Sequence, residues 1–309
     1  MATPEKAIHG ITRVPKKNSV NHKLKSTLIG WSFIAVATIF ICLFYFYPML
    51  KALTLSFQSG TGTNLEFVGF DNYTRLFKDP TFLTTVKNTV IYLIVQVPIM
   101  ILLALFLSVL LNNKTLKFKA FFRTAIFLPC VTSLVAYSVI FKYLFSQDGL
   151  INQMLMKLSI IAQPIEWLTD PFWAKMTIIL AITWRWIGYN MIFYLSALQN
   201  IDESIYEAAR IDGASPVQQF FKITIPNLKP IILFTSITST IGTLQLFDEV
   251  MNITQGGPGN ATMTISQYIY NLSFKYTPDF GYAATVSYVI VILIVLFSIL
   301  QFKVAGDKQ

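Results

Sequence analysis

Residues Ile201 to Pro230 read IDESIYEAARIDGASPVQQFFKITIPNLKP, the longest polar interval in the second half of a chain that is otherwise mostly apolar. Its local chemistry predicts two short helices joined at an elbow. Asp202 fits the N-cap of the first helix, with Glu203 near the positive end of its dipole. Gly213 stands where a helix of about eleven residues needs a left-handed stop. Ser215-Pro216-Val217-Gln218 then predicts a new start, with Ser215 as N-cap, Pro216 at the first helical position and Gln218 completing a capping box. Phe220, Phe221 and Ile223 are the apolar residues of the second helix, which Pro226 is expected to end. Two helices hung between long apolar stretches suit docking better than linking. The residues alone also fit a plain connector, with Glu207 paired to Arg210 one turn on.

Outward from this interval the chain is fit for a membrane. Of its 309 residues, 54% are hydrophobic and 13% charged, too little polar surface for a soluble domain. Uncharged apolar blocks run from Ser26 to Leu50, Asn88 to Asn113, Thr124 to Phe141, Pro230 to Phe247 and Phe280 to Phe302. A sixth block, Met176 to Ile201, is interrupted once, by Arg185. About 20 apolar residues cross a bilayer core, so six spans are expected, the third and fifth near the short limit. The predicted organisation is a basic tail over 1–25, a first transmembrane helix over 26–50, an extracytoplasmic loop over 51–84, a core of five transmembrane helices over 85–302 that contains the 201–230 loop, and a short tail over 303–309.

The net charge of +9 does not point to nucleic acid, because the cations follow the loops. Fifteen lie in the first tail, Asn112–Arg123, the Ile201 loop and the C-terminus, whereas the alternate loops hold five: Lys51, Arg75, Lys78, Lys157 and Lys275. By the positive-inside rule both termini and the Ile201 loop are expected on the cytoplasmic side. The two cysteines, Cys42 and Cys130, lie inside spans and offer neither a disulfide framework nor zinc spacing. Both histidines, His9 and His22, sit in the polar tail, which argues against a histidine-based active site. No G-x-x-x-x-G-K-[ST] occurs, so an ATP-driven process would need another polypeptide to hydrolyse the ATP. No cofactor or metal site is expected.

Between the spans, Asp71-Asn72 and Asp79-Pro80 are turn chemistry, and Asp79 fits a cap on the approach to span 2. Pro98 is expected to kink span 2 unless a neighbour satisfies the freed carbonyl, and Pro129 falls within span 3. Leu150 to Ile161 reads as a short amphipathic helix on the outer face, and GGPG from Gly256 to Gly259 as an outer turn. Span 4 is the most polar. Its Arg185 lies between Trp184 and Trp186, with Tyr189 and Asn190 following. A charge at that depth must face protein, water or ligand, so Arg185 either pairs with a structural partner such as Asp248 or serves a site. Aromatic rings beside hydrogen-bonding side chains are what sugar sites use, the rings covering C–H faces and the polar groups meeting hydroxyls. Span 5 is rich in small and hydroxyl residues, including Ser239, Gly242 and Thr243, and turns polar at Gln245, Asp248 and Glu249.

The pattern Glu207-Ala208-Ala209, Gly213 after three residues, then Ile223, Ile225 and Pro226 after a nine-residue gap resembles the EAA loop of the membrane subunits of bacterial ABC importers. Ile225 stands where that family usually has Leu. FVGFDNYTRLFKDPTF, FLPCVTSLVAYSVIFKYLFSQDGLINQML and FDEVMNITQGGPGNAT resemble the carbohydrate branch of the family, and the likeness runs from about Phe67 to the end. It implies an all-α integral membrane protein of six transmembrane helices with the type I importer permease fold and a cytoplasmic coupling-helix loop. It further implies a permease subunit similar to the larger membrane subunit of the maltose system and its oligosaccharide and glycerol-phosphate relatives. Such a subunit pairs with a second permease, docks two ATPase subunits, receives solute from an extracytoplasmic binding protein and moves a sugar, a di- or oligosaccharide, by alternating access within membrane lipid. The chain itself would not be an enzyme. The resemblance assigns ATPase coupling to Glu207, Ala208, Ala209, Asp212, Gly213, Ala214, Phe220, Ile223 and Pro226. Arg185, Trp186 and Tyr189 of span 4, with Ser239, Thr243, Gln245 and Leu246 of span 5, are the expected substrate pocket. Several of these match, by ungapped reading, positions that touch sugar in the maltose transporter, although most residue types differ. The rival expectation is a stand-alone secondary transporter using Arg185, Asp248 and Glu249 as an ion relay. A membrane enzyme ranks third, since no nucleophile–base–acid set is visible.

Overall fold

The protein is described by a computed structural model covering residues 19–61, 64–113 and 115–305. Most of the tail expected over 1–25, and the end of the one over 303–309, lie outside the described residues. The chain divides into two units, 1–52 and 53–309. The first contains α1 (Ser19–Ile41), a π turn over Cys42–Phe46 and the start of α2 (Tyr47–Ser56). The apolar stretch Ile29–Ser56, at 28 residues, is long enough to cross a bilayer.

In the second unit the first loop is structured rather than open. β1 (Gln58–Thr61) and β2 (Asn64–Phe67) pair antiparallel, with Gln58 opposite Phe67, so a small hairpin is added to the all-α expectation. α3 (Asp71–Leu76) follows, and its buried Asn72 donates to the carbonyls of Ser56 at 3.0 Å and Gln58 at 2.9 Å. α4 (Pro80–Asn112) begins as predicted. Asp79 accepts from the backbone N–H groups of Thr81 at 2.9 Å and Phe82 at 3.2 Å, and Pro80 occupies the first helical turn. The helix runs through Pro98 without a break.

Span 3 differs from its expected form. α5 (Lys119–Val131) and α6 (Leu134–Leu144) meet at a bend of 100°. The break falls at Thr132-Ser133 and not at Pro129, because Thr132 and Ser133 are extended and the Ser133 hydroxyl caps the new helix by accepting from Ala136 N–H. α7 (Leu150–Lys157) stops short of Ile161, where Ser159 takes a positive φ of 56°. α8 (Pro171–Leu198) is capped by Asp170, which accepts from Phe172 and Trp173 N–H groups.

The Ile201 interval contains α9 (Glu203–Ile211) and α10 (Pro216–Gln219), with the caps at Asp202 and Ser215 and the capping box to Gln218 all formed. The second helix does not end at Pro226. It passes through a π turn over Phe220–Thr224 into α11 (Ile225–Leu244), giving one helical run from Pro216 to Leu244. Ile225 N–H reaches back five residues to the Phe220 carbonyl, so the missing Pro226 N–H falls where the register changes from π to α. The remaining elements are α12 (Asp248–Ile253), α13 (Ile265–Tyr270), a π turn over Asn271–Lys275 and α14 (Phe280–Ala305). Five helices among the described residues can cross a membrane, and the bent pair α5–α6 makes a sixth if it counts as one span.

Helix α4 is the common member of three buried clusters. Phe82 and Leu93 pack with Tyr268 and Tyr282, Tyr92 packs with Tyr137, Ile178 and Val250, and Leu105 packs with Met191, Tyr194 and Leu228. In lipid, helix association rests on close packing and interhelical hydrogen bonds more than on the hydrophobic effect. Both are present. Gly188 of α8 lets that helix lie directly against the Ile126 carbonyl of α5, and the Tyr194 hydroxyl lies 2.6 Å from that of Thr235.

Candidate transport site

A cavity of about 570 Å³ opens between α4, α6, α8, α11 and the turn into α12. Its size is that of a small-molecule site. Ile182, Trp186, Tyr189 and Asn190 reach it from one face of α8, at the spacing helical periodicity requires. Thr238, Ser239, Gly242 and Thr243 reach it from α11, and Gly242 leaves open space where a side chain would stand. Gln245, Leu246 and Phe247 follow as α11 ends, and Asp248 and Glu249 open α12.

The polar groups are pre-positioned by hydrogen bonds. Thr243 Oγ1 donates to Gln96 Oε1 at 3.1 Å, and Gln96 Nε2 lies 3.2 Å from the Met100 sulfur. Asn190 Nδ2 donates to the Trp186 carbonyl at 3.1 Å, whereas buried Asn190 Oδ1 has no donor. Trp186 and Tyr189 meet edge to face with centroids 5.8 Å apart, and Tyr189 rests in turn on Phe193 at 5.0 Å. Stacking in this way holds both rings without closing the cavity.

Six of the seven expected pocket residues therefore line one cavity: Trp186, Tyr189, Ser239, Thr243, Gln245 and Leu246. Arg185 does not line it. The Arg185 guanidinium, 5% exposed, lies behind the wall at the break in span 3, where Nη1 donates to the Thr132 carbonyl at 3.1 Å and Nη2 approaches the Cys130 carbonyl at 3.4 Å. The last carbonyls of α5 have no helical partner and carry the negative end of its dipole, so a cation is well placed there. The guanidinium also faces the Tyr137 ring at 4.7 Å and the Trp186 ring at 5.6 Å. Arg185 thus does have a structural partner, but it is backbone and not Asp248. Sequence reasoning did not assign Gln96, Met100, Asn190 or Asp248 to the pocket. The glutamine and asparagine could have been found as amides inside otherwise apolar spans.

At the opposite end of α8 the interval 201–230 is largely exposed. Glu207 and Ala208 face outward on α9, Ala209 is half-buried, and Asp212 and Gly213 form the stop. Gly213 takes φ +79°, its N–H bonds the Arg210 carbonyl at 3.1 Å and Ala214 N–H bonds Ala209 at 2.9 Å, a Schellman ending. Phe220 and Ile223 are half-buried in the π turn, and Pro226 is exposed. Arg210 Nε turns back to the Tyr206 carbonyl at 3.2 Å, and among the described residues no ion pair joins it to Glu207. The Tyr206 hydroxyl, 2.9 Å from that of Thr224, ties α9 to the π turn.

Residues 78–305 match the family described as the binding-protein-dependent transport system inner membrane component. The chain belongs to that family. The permease is 59% identical to the lactose transport system permease protein LacF of Rhizobium radiobacter, over 91% of this chain and 95% of that one. It is 35% identical to the arabinooligosaccharides transport system permease protein AraP of Bacillus subtilis, over 85% and 84%. A solved bacterial ABC transporter involved in the import of the acidic polysaccharide alginate has a similar fold, with TM-score 0.81 at 21% identity over 93% of this chain and 98% of that one. The permease is therefore an inner-membrane subunit of an ABC importer and not an enzyme. A separate ATPase hydrolyses the ATP, and a periplasmic binding protein belongs to the same system. The ion-driven relay is set aside with it.

Proposed function

We propose that the permease forms the membrane path for a saccharide, a di- or oligosaccharide, and does so as a heterodimer with a second permease subunit on two ATPases. The observation that carries this reading is the cavity wall, where Trp186 and Tyr189 meet the amides of Gln96 and Asn190 and the hydroxyls of Ser239 and Thr243. Flat aromatic faces cover the C–H surface of a pyranose while fixed amides and hydroxyls take its hydroxyls. The names of the relatives, lactose and arabinooligosaccharide permeases, support the same substrate class.

Coupling runs through the 201–230 interval. Glu207, Ala208, Ala209, Asp212, Gly213 and Ala214 present the docking face to the ATPase, and Phe220, Ile223 and Pro226 join it to α11. The run from Pro216 to Leu244 supports this, since it makes the segment after the elbow and the cavity wall one helical body. Motion of the ATPase then turns the Ser239 and Thr243 face directly, as alternating access requires. Both termini and the interval lie in the cytoplasm, as the loop charges favour. Uptake by vesicles containing the complete complex tests the site. Trp186→Ala and Tyr189→Ala are expected to lower uptake of the cognate sugar while the complex still assembles. Normal uptake of every candidate sugar by both variants would move the path elsewhere.

A further inference from the structure

The carboxylic acids in the cavity wall are Asp248 and Glu249, and among the described residues no lysine, arginine or histidine lines it. The cation nearby, Arg185, is committed to the Thr132 and Cys130 carbonyls. Asn190 adds a third acceptor. The residue is 2% exposed, its Nδ2 is held by the Trp186 carbonyl, and its buried Oδ1 has no donor. A buried acceptor left without a donor is costly, and a ligand hydroxyl that reached Asn190 Oδ1 would relieve that cost. Hydroxyls donate and carboxylates do not. A sugar acid would instead meet the Asp248 carboxylate with no cation in the wall itself, in a setting less screened than bulk water. The fold does not make this choice, because the solved importer of similar fold carries an acidic polysaccharide.

We propose that Asp248, with the free acceptor of Asn190, makes this site a charge filter that admits uncharged hydroxyl-bearing saccharides and rejects sugar acids. The proposal rests on the saccharide reading above. Asp248 is the selective group because it is half-buried at the cavity and carries its charge at the open start of α12. Glu249, deeper in the wall, lies against the Tyr137 and Arg185 region.

The test is equilibrium binding of labelled lactose to the purified complex of permeases and ATPases, displaced by unlabelled lactose or by lactobionate, its aldonic acid. Lactobionate is expected to displace at least roughly tenfold less well in the parent, and the gap should narrow as salt is raised. Its open-chain end also differs in shape, so the decisive reading is the change in the ratio with charge. Asp248→Asn should narrow the gap by roughly threefold or more, and Asp248→Lys should erase or invert it. A merely structural Asp248 would weaken both displacements alike. A ratio near one in the parent, or one unmoved by salt and by both variants, overturns the filter and leaves the saccharide reading standing. If neither lactose nor any other neutral saccharide in a displacement panel binds, the saccharide reading fails and the filter with it.

Discussion

The elbow at Gly213 allows a test in which side-chain size and backbone strain predict opposite orders. The residue sits at φ +79°, and a Cβ built there meets no atom within 4 Å. Any substitution is therefore strained by backbone alone, at about 1–2 kcal/mol for an ordinary L-residue in the left-handed region. Asparagine tolerates that region, so Gly213→Asn is expected to be the mildest change although its side chain is larger than alanine's. Gly213→Ala should cost about 1 kcal/mol, roughly a fivefold loss in the population of the native elbow. Gly213→Val should cost more, because a β-branched residue is a genuine outlier at positive φ. Gly213→Pro is the most severe, since its ring fixes φ near about −65° and removes the N–H that bonds the Arg210 carbonyl. Because α9 and α10 are exposed and the strain lies between them, all four variants should reach the membrane. ATPase co-purification and ATP-driven uptake should fall in the order Asn, Ala, Val, Pro. A valine or proline variant that binds the ATPase and transports at the parental rate refutes the coupling role. An alanine variant better than the asparagine variant refutes the backbone argument.

Gly188→Val would drive a side chain into the Ile126 carbonyl, so α5 and α8 must separate, at about 1–3 kcal/mol of overpacking, read as a lower melting temperature of the purified complex. Arg185→Lys replaces a planar fork by a shorter point charge without two spaced nitrogens for the Thr132 and Cys130 carbonyls, and a loss of about 1–3 kcal/mol is expected in the same assay. For Asp79, burial alone would raise the carboxyl, but the hydroxyls of Tyr268 and Tyr282 and the N–H groups of Phe82 and Thr81 outweigh it and hold it below the usual aspartate value. Its stabilisation is thus complete above the unfolded pKa and lost as pH falls through the lowered folded one, so the parent should outlast Asp79→Asn at neutral pH with the gap closing below about pH 4. Single cysteines at the exposed Glu66 of the hairpin and at Ser215 should differ in labelling of intact cells by an impermeant thiol reagent, and equal labelling would contradict the assigned topology.

The helix starts were legible because caps are local. Asp79-Pro80, Asp202 and Ser215-Pro216 each place an acceptor at a helix start, the two prolines add a preset φ, and each cap is formed. The helix stops were less so, because a stop depends on what the chain can do next. Pro226 read as an end, yet a π turn just before it changes the hydrogen-bond register and lets α11 continue. Span 3 contains Pro129, but its bend lies three residues on, where Thr132 and Ser133 have hydroxyls able to bond nearby backbone. The hairpin over 58–67 has a different cause: its strands are held by tertiary contacts, Asn72 on the Ser56 and Gln58 carbonyls and Thr285 on Ser56, that no four-residue window could announce.

In the site, what could be read was chemistry and what could not was orientation. Trp186, Tyr189, Ser239 and Thr243 were named from the residue types sugar sites use and from the resemblance to the maltose system, and each pair lies at a helical spacing that shares one face. Arg185 precedes Trp186 by one position, about 100° around α8, and that angle turns it from the cavity toward the end of α5. Its partner could not be named from side chains because it is main chain, exposed when span 3 breaks. The two features explain each other. A break inside the membrane frees carbonyls that lipid cannot satisfy, and a buried guanidinium needs acceptors that an unbroken helix does not offer. Each is expensive alone, and together they close. The break also sets α6 at a new angle, so that Leu134 in its first turn becomes part of the cavity wall. Arg185 therefore shapes the site without entering it.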